Sequence, residues 1–370
     1  MKNILKITLV LFSVFALTSA NAGTLTVTGN AKASYSIVSS DGAAAKAENG
    51  KGIGISNEFT LGDSGETDNG IVWKYAIDMD GTGATAADDQ QLTLTLPTLG
   101  TIGIYISEGG IDVDNSWDLS VHGRPSDFSY SPYKRDAFSI SNTNNLQYHT
   151  PAGLLPFGIA AKIAYAPTTD GTINDNNATG AAQTDATDAT TIAEAQTLST
   201  GFQAANTVSA KKMTAYQVTA APIEGLAIGA SYETFSDSKK NIAQTPESGS
   251  WYATYAVGPA KIGYGKTYVS YELDAVTTTG AEALEASENT NYSIAVAVND
   301  NLSLSYTKEK SDLQAATSST VTYEQDMTGI QAAYTMGGMT LSISQNTYDN
   351  ARYVQNADVT NTVFGIAMAF

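Results

Sequence analysis

The sequence predicts an all-β fold: a closed antiparallel transmembrane β-barrel of sixteen strands. Three observations lead there. Apolar and polar residues alternate with period two in segments of about ten residues, repeated along the chain. The connections between these segments are alternately short and long. The N-terminus has the form of an export signal, and no second long apolar run follows it.

The N-terminus comes first. Lys2 and Lys6 give it a basic start, Ile7 to Leu17 form an apolar run, and Ala20-Asn21-Ala22 places small residues two apart, as a signal peptidase requires. The run is shorter than the ~20 residues a spanning helix needs. Residues 1–22 are therefore expected to be a cleaved signal peptide and 23–370 a single barrel domain. The formal charge is −18, or −20 once Lys2 and Lys6 leave with the signal, which excludes electrostatic attraction to nucleic acid. There is no cysteine, so an exported chain of this size must be stable by burial and backbone pairing alone. The nearest apolar run of the mature chain, Leu154-Leu155-Pro156-Phe157-Gly158-Ile159, is interrupted by Pro156 and Gly158.

The strands follow in order. Leu25, Val27, Ala31, Ala33, Tyr35 and Ile37 alternate with Thr26, Thr28, Asn30, Lys32, Ser34 and Ser36. Trp73, Tyr75, Ile77 and Met79 alternate with Lys74, Ala76 and Asp78, and Tyr292, Ile294 and Val296 alternate with Ser293 and Ala295. Sixteen such segments are expected near 25–38, 52–61, 70–80, 90–96, 101–107, 144–150, 158–166, 211–221, 226–236, 250–257, 260–273, 288–298, 301–309, 321–336, 339–348 and 360–370. Tight connections, such as Pro97–Gly100, Gly258–Pro259 and Gly337–Gly338, alternate with longer ones at 39–51, 81–89, 108–143, 167–210, 237–249, 274–287, 310–320 and 349–359. Membrane barrels sort turns to one rim and loops to the other; a soluble sandwich has no reason to. Residues 168–210 are rich in Ala, Thr, Asn and Asp without Lys or Arg, and read as a solvated surface loop.

Hydrocarbon cannot satisfy backbone groups, so such a sheet must close, with its apolar face toward lipid. Phe59, Trp73 and Tyr148 are expected near the turn ends, and Tyr35, Tyr165, Tyr232 and Trp251 near the loop ends, as two aromatic girdles. In 260–273 the apolar positions switch from even (Ile262, Tyr264) to odd (Val269, Tyr271), and a straight strand would put Lys266 in lipid. That would cost about 2–4 kcal/mol at mid-depth, so a β-bulge is expected near Gly263 or Gly265.

Two features carry a family resemblance. Phe364, Ile366, Met368 and Phe370 alternate with small residues at the C-terminus, which resembles the assembly signal of outer-membrane barrels. Asn145-Leu146-Gln147-Tyr148-His149-Thr150-Pro151 resembles the strand after the third loop of trimeric Gram-negative porins. The resemblance covers the mature chain in strand number and loop order. It implies a homotrimer in outer-membrane lipid, a water-filled channel passing small hydrophilic solutes and ions, and a third loop folded into the pore as its constriction. On this chain that loop is Glu108 to about Thr143, with acids Glu108, Asp112, Asp114, Asp118 and Asp127, and bases Arg124, Lys134 and Arg135. The facing wall would offer Lys32, Lys74 and Lys162, then Lys211 and Lys261. Predicted strands two to four carry Lys74 and no arginine, a departure from the enterobacterial pattern. With 37 acids against 19 bases, weak cation preference is expected.

His122 and His149 have no partner at a catalytic spacing, and Gly62-Asp63-Ser64-Gly65, which echoes a protease nucleophile motif, reads as turn chemistry. The chain is not expected to be an enzyme or to hold a cofactor, beyond Ca²⁺ on its acidic loops through oxygen ligands. Alternative readings are a pore preferring a sugar or a cationic nutrient, with Trp117, Phe128, Tyr130 and Tyr133 as stacking platforms, and a non-pore surface protein such as an adhesin.

Overall fold

A computed structural model describes residues 23, 25–42, 50–80, 89–128, 136–169, 212–237, 242–274, 284–315, 318–353 and 355–370. The expected signal peptide, nearly all of loop 168–210, Lys134, Arg135, Tyr130, Tyr133 and Lys211 lie outside the described residues.

Sixteen antiparallel strands close one barrel. They are β1 (Thr26–Gly42), β2 (Gly50–Glu66), β3 (Val72–Asp80), β4 (Asp89–Leu96), β5 (Gly100–Ile106), β6 (Asn145–His149), β7 (Ala160–Ala166), β8 (Lys212–Ala220), β9 (Leu226–Ser236), β11 (Glu247–Val257), β12 (Ala260–Ser270), β14 (Leu284–Ala297), β15 (Leu302–Ala315), β16 (Ser318–Met336), β17 (Met339–Asp349) and β18 (Ala357–Ala369). The short β10 (Ile242–Gln244) and β13 (Leu273–Asp274) pair apart from the barrel. Closure is made by β1 on β18, from Asn30 opposite Ala369 to Gly42 opposite Ala357. Phe370 and Gly29 extend it, exchanging backbone bonds of 2.8 and 3.0 Å. Among the described residues the barrel itself has no unpaired edge strand.

The burial pattern is inverted relative to a soluble protein. On β14, Tyr292 and Ile294 are exposed on the outer face, while Asn291 and Ser293 are buried on the inner one. The same alternation runs through β15, where Leu304 and Tyr306 face out and Ser305, Thr307, Glu309 and Ser311 are buried. Outer aromatics pack across strands: Trp251 on Tyr264 at 5.1 Å, Tyr264 on Tyr292 at 5.0 Å, and Phe59 on Phe370 at 5.5 Å between ring centres.

All sixteen expected segments coincide with barrel strands, but three details differ. First, β2 runs through Gly62-Asp63-Ser64-Gly65 to Glu66, so this motif lies in a ladder with β3 and not in a turn. Second, β15 and β16 continue past the apolar stretch and leave only 316–317 between them, which breaks the short–long alternation. Outward ion pairs Lys308–Asp326 (3.0 Å) and Lys310–Glu324 (2.9 Å) accompany that extension. A ladder needs only paired backbones, and charges suit its outer face once it clears hydrocarbon.

Third, the expected bulge is absent. β12 pairs without a register shift to β11 and to β14, so Lys266 faces outward, and its ammonium pairs with Glu288. The two glycines have a different purpose. A Cβ on Gly263 would stand 2.0 Å from the Trp117 carbonyl oxygen, and one on Gly265 would stand 2.3 Å from Trp117 Cδ1. The parity switch in the sequence arises because Val269 and Tyr271 are apolar on the inner face, where they pack with Leu313, Tyr353 and Phe138 of the connection between β5 and β6.

Candidate functional site

The described parts of the β5–β6 connection, residues 107–128 and 136–144, are bonded to inner-face side chains of β1, β8, β9, β11 and β14–β17. Gln217 of β8 donates to the Ile111 carbonyl at 2.8 Å, and Ser231 of β9 accepts from the Val113 amide at 3.2 Å. Ser293 of β14 donates to the Trp117 carbonyl at 2.7 Å. Ser120 shares a hydrogen bond with Thr307 of β15 at 2.7 Å, and the His122 amide donates to Gln331 of β16 at 2.9 Å. Tyr348 of β17 donates to the Pro125 carbonyl at 2.7 Å, and Lys32 of β1 donates to the His122 carbonyl at 3.4 Å. The returning limb is held by Ser248 of β11, which accepts from the Phe138 amide at 3.0 Å. Small hydroxyl and amide side chains suit this task, because they satisfy a loop's backbone groups without filling the lumen.

Packing adds to these bonds. Trp117 is fully buried, with its indole N–H donating to the Asp114 carbonyl at 2.6 Å. It lies in the gap left by Gly263 and Gly265. Downstream, a Cβ on Gly365 would stand 2.5 Å from the His122 ring, and one on Gly329 would stand 3.0 Å from Pro125. Glycines at inner positions of β12, β16 and β18 thus leave room for Trp117, Pro125 and His122 between the side chains that hydrogen-bond the loop. Phe128 stacks on His122 at 5.9 Å.

The expected site residues fall into distinct environments. Glu108 begins the connection, its carbonyl accepting from Asn145 at 3.1 Å. Asp112 accepts from Ser139 at 2.7 Å, and the buried Asp114 accepts from the Ala137 amide at 2.8 Å. Both, with Asn115, Asp136, Ser139 and Ser141, line a polar cavity of about 430 Å³ between the two limbs of the loop. Asp118 accepts from the Ser120 amide and hydroxyl at 3.1 and 2.7 Å. Burial raises the Asp118 carboxyl above its usual range, and the Ser120 bonds oppose this.

Asp127 is bound by Arg124 from Nε (3.0 Å) and Nη2 (2.8 Å). Arg124 also reaches Asp136 at 3.4 Å and is 7% exposed. It therefore clamps the loop to itself and is not a cation lining open pore. Lys74 is exposed on the inner face of β3, and Lys162 lies opposite His149 in the β6–β7 ladder. His122 shares its Nδ1 with Ser342, while its Nε2 is buried without a hydrogen-bond partner. Burial, then the neighbouring Lys32 charge, lowers its pKa to about 4.

Sequence reasoning missed several wall residues. Glu309 is fully buried on β15 and accepts from the Ser126 amide and hydroxyl, each at 2.9 Å. Glu233 on β9 is likewise fully buried and accepts from Ser248 at 2.7 Å. Both sit at inward parity on expected strands, which was their only signal. Trp117 is enclosed by wall and loop, so it offers no ring to a passing sugar. Among the described residues, no group of three or more His, Asp or Glu side chains could hold a metal ion.

No protein-family model matches the chain, and no curated protein matches it by sequence. Solved structures do match by shape. OmpT, an outer membrane protein of Vibrio cholerae, is similar with a TM-score of 0.63 at 12% identity over 95% of this chain and 99% of that one. An anion-selective porin from Comamonas acidovorans gives 0.62 at 12% identity, covering 94% and 100%. OmpF of Salmonella typhi, solved with daunomycin, gives 0.60 at 12%, covering 94% and 98%. The chain shares with these proteins the fold of a closed antiparallel barrel of the outer-membrane porin kind.

Proposed function

We propose that the chain is an outer-membrane channel for passive diffusion of small hydrophilic solutes and ions, assembled as a homotrimer and weakly cation-preferring, and that residues 108–143 narrow its pore. The observation that carries this reading is the bonding of one connection to inner-face side chains of β1, β8, β9, β11 and β14–β17, inside a barrel whose outer face is apolar. A purely structural barrel has no use for so many polar side chains aimed inward. The porin likenesses support the same reading, including the trimer and the outer-membrane location.

Cation preference rests on the balance of inner charges. Asp112, Asp114 and Asp136 share one cavity, and Glu309 flanks the loop, while the Arg124 cation is held by Asp127 and Asp136. Lys32, Lys74 and Lys162 remain on the wall. Fields of fixed carboxylates persist across a narrow lumen, because screening acts over ~8 Å at physiological salt. Reversal potentials in a KCl gradient across a planar bilayer test this. The expected sign is that of modest K⁺ preference, and anion selectivity refutes it. Absence of any conductance from folded protein refutes the channel itself.

A further inference from the structure

The turn-side rim is chemically divided. Thr67-Asp68-Asn69-Gly70, Asn299-Asp300-Asn301 and Gly337-Gly338 are polar or small. On β4–β9 the turns carry large exposed apolar residues, with Thr98 beside Leu99 and the exposed Glu224 beside Ile223. The β6–β7 turn reads Pro151-Ala152-Gly153-Leu154-Leu155-Pro156-Phe157-Gly158-Ile159, nine residues without one polar side chain. Leu154 is 61% exposed, Phe157 68%, Leu99 of the β4–β5 turn 63%, and Ile223 of the β8–β9 turn 60%.

These turns form one patch. The Ala221 amide donates to the Phe157 carbonyl at 3.1 Å, and the Tyr148 hydroxyl donates to the Leu99 carbonyl at 2.9 Å. Phe157 is held at φ +60°, a left-handed conformation that is an outlier for a bulky residue. Its exposure is therefore not a by-product of relaxed backbone.

The patch coincides with the shortest strands. β5 and β7 have seven residues each and β6 has five, against 17 in β1 and β2 and 19 in β16. A strand rises ~3.3 Å per residue, or ~2.5 Å along the normal at a tilt near 40°. Seven residues then cover about 18 Å and five about 13 Å, short of the ~25 Å apolar band of such barrels.

We propose that the turns at Leu99, 151–159 and Ile223 are immersed in the turn-side leaflet, against lipid acyl chains, and complete the apolar belt where β5–β7 are too short to do so. This rests on the membrane-spanning part of the functional reading. Aqueous exposure would leave the patch unmatched, since turns facing water use polar and small residues, as the other turns here do.

The chain has no cysteine, which makes single labels clean. Full-length Phe157→Cys, Asp68→Cys and Ile163→Cys are each labelled with an environment-sensitive fluorophore in phosphatidylcholine–phosphatidylglycerol vesicles. Quenching is measured by iodide and by lipids carrying a nitroxide high on the acyl chain. Residue 157 is expected to behave like 163 on the outer strand face: quenched by the lipid nitroxide, with an iodide slope several-fold below that at 68. Iodide quenching at 157 equal to that at 68 overturns the proposal. Protection from both quenchers overturns it too, and points to a second copy of the chain as the cover. Leu154→Cys replaces the first variant should that fail to fold. Iodide quenching at 163 overturns both this proposal and the membrane reading. Lipid quenching at 163 and 157 without solute flux refutes only the channel.

Discussion

Replacing Gly265 by alanine should unseat the third connection without unfolding the barrel. The added Cβ would stand 2.3 Å from Trp117 Cδ1 and 2.6 Å from Cγ. Ordinary contact begins near 3.4 Å, so the indole must retreat by about 1 Å or leave. The strand cannot yield instead, because β12 is laddered on both sides without a register shift. Overpacking of this kind costs about 1–3 kcal/mol. Trp117→Ala acts from the other side: losing a fully buried tryptophan costs about 3–5 kcal/mol. That falls on the seating of the loop, since no ladder bond involves Trp117, and it lowers the seated-to-unseated ratio by a factor of roughly one hundred to four thousand. Both variants should keep the heat-modifiable gel shift of a folded barrel. In single-channel recordings both should show raised open-channel noise and an altered conductance. The size cut-off for graded polyethylene glycols should shift more for Trp117→Ala. If conductance, noise and cut-off all match the unmodified protein while the barrel stays folded, Trp117 and the glycines that seat it do not set the position of the loop.

Acid should loosen the same seat. His122 has a pKa of about 4 in the folded protein, against ~6.5 when free. The unseated state therefore binds more protons between those values, and the contribution of neutral His122 is full above pH 6.5 and lost as pH falls through about 4. Channel noise should rise over that window, and a His122→Phe variant with an unchanged pH profile would refute the assignment; Lys32 and Asp118 are the charged groups to control for. Arg124→Ala strands Asp127 and Asp136 without their cation. A cost of about 1 kcal/mol on the loop is expected, because both carboxylates are half exposed, read as faster proteolytic cleavage within 108–143, and Arg124→Lys should rescue only part of it because the two-nitrogen grip on Asp127 is lost. Glu309→Gln should weaken K⁺ preference in reversal-potential measurements, with Ser126 still positioned as a donor; an unchanged potential would remove Glu309 from the selectivity argument.

The fold was legible because its strongest determinant is local. A strand with one face to lipid must alternate, as at Tyr292–Val296, and closure must follow because hydrocarbon tolerates no open edge. The strand ends were less legible: β15 and β16 extend on cross-strand ion pairs such as Lys310–Glu324, whose members lie 14 positions apart and show no periodic signal.

The site was legible only in outline. Sequence alone determined that residues 108–143 form a long connection rich in acids and that Lys32, Lys74 and Lys162 carry inward parity. Only the tertiary structure decided which charges are spent internally, as Arg124 is on Asp127, and that Gly263 and Gly265 are a seat for Trp117 rather than a bulge. Alternation along one strand reports which face a residue occupies. It says nothing of what arrives opposite that face from 146 or 148 positions away, and that meeting is what shapes the inside of the barrel.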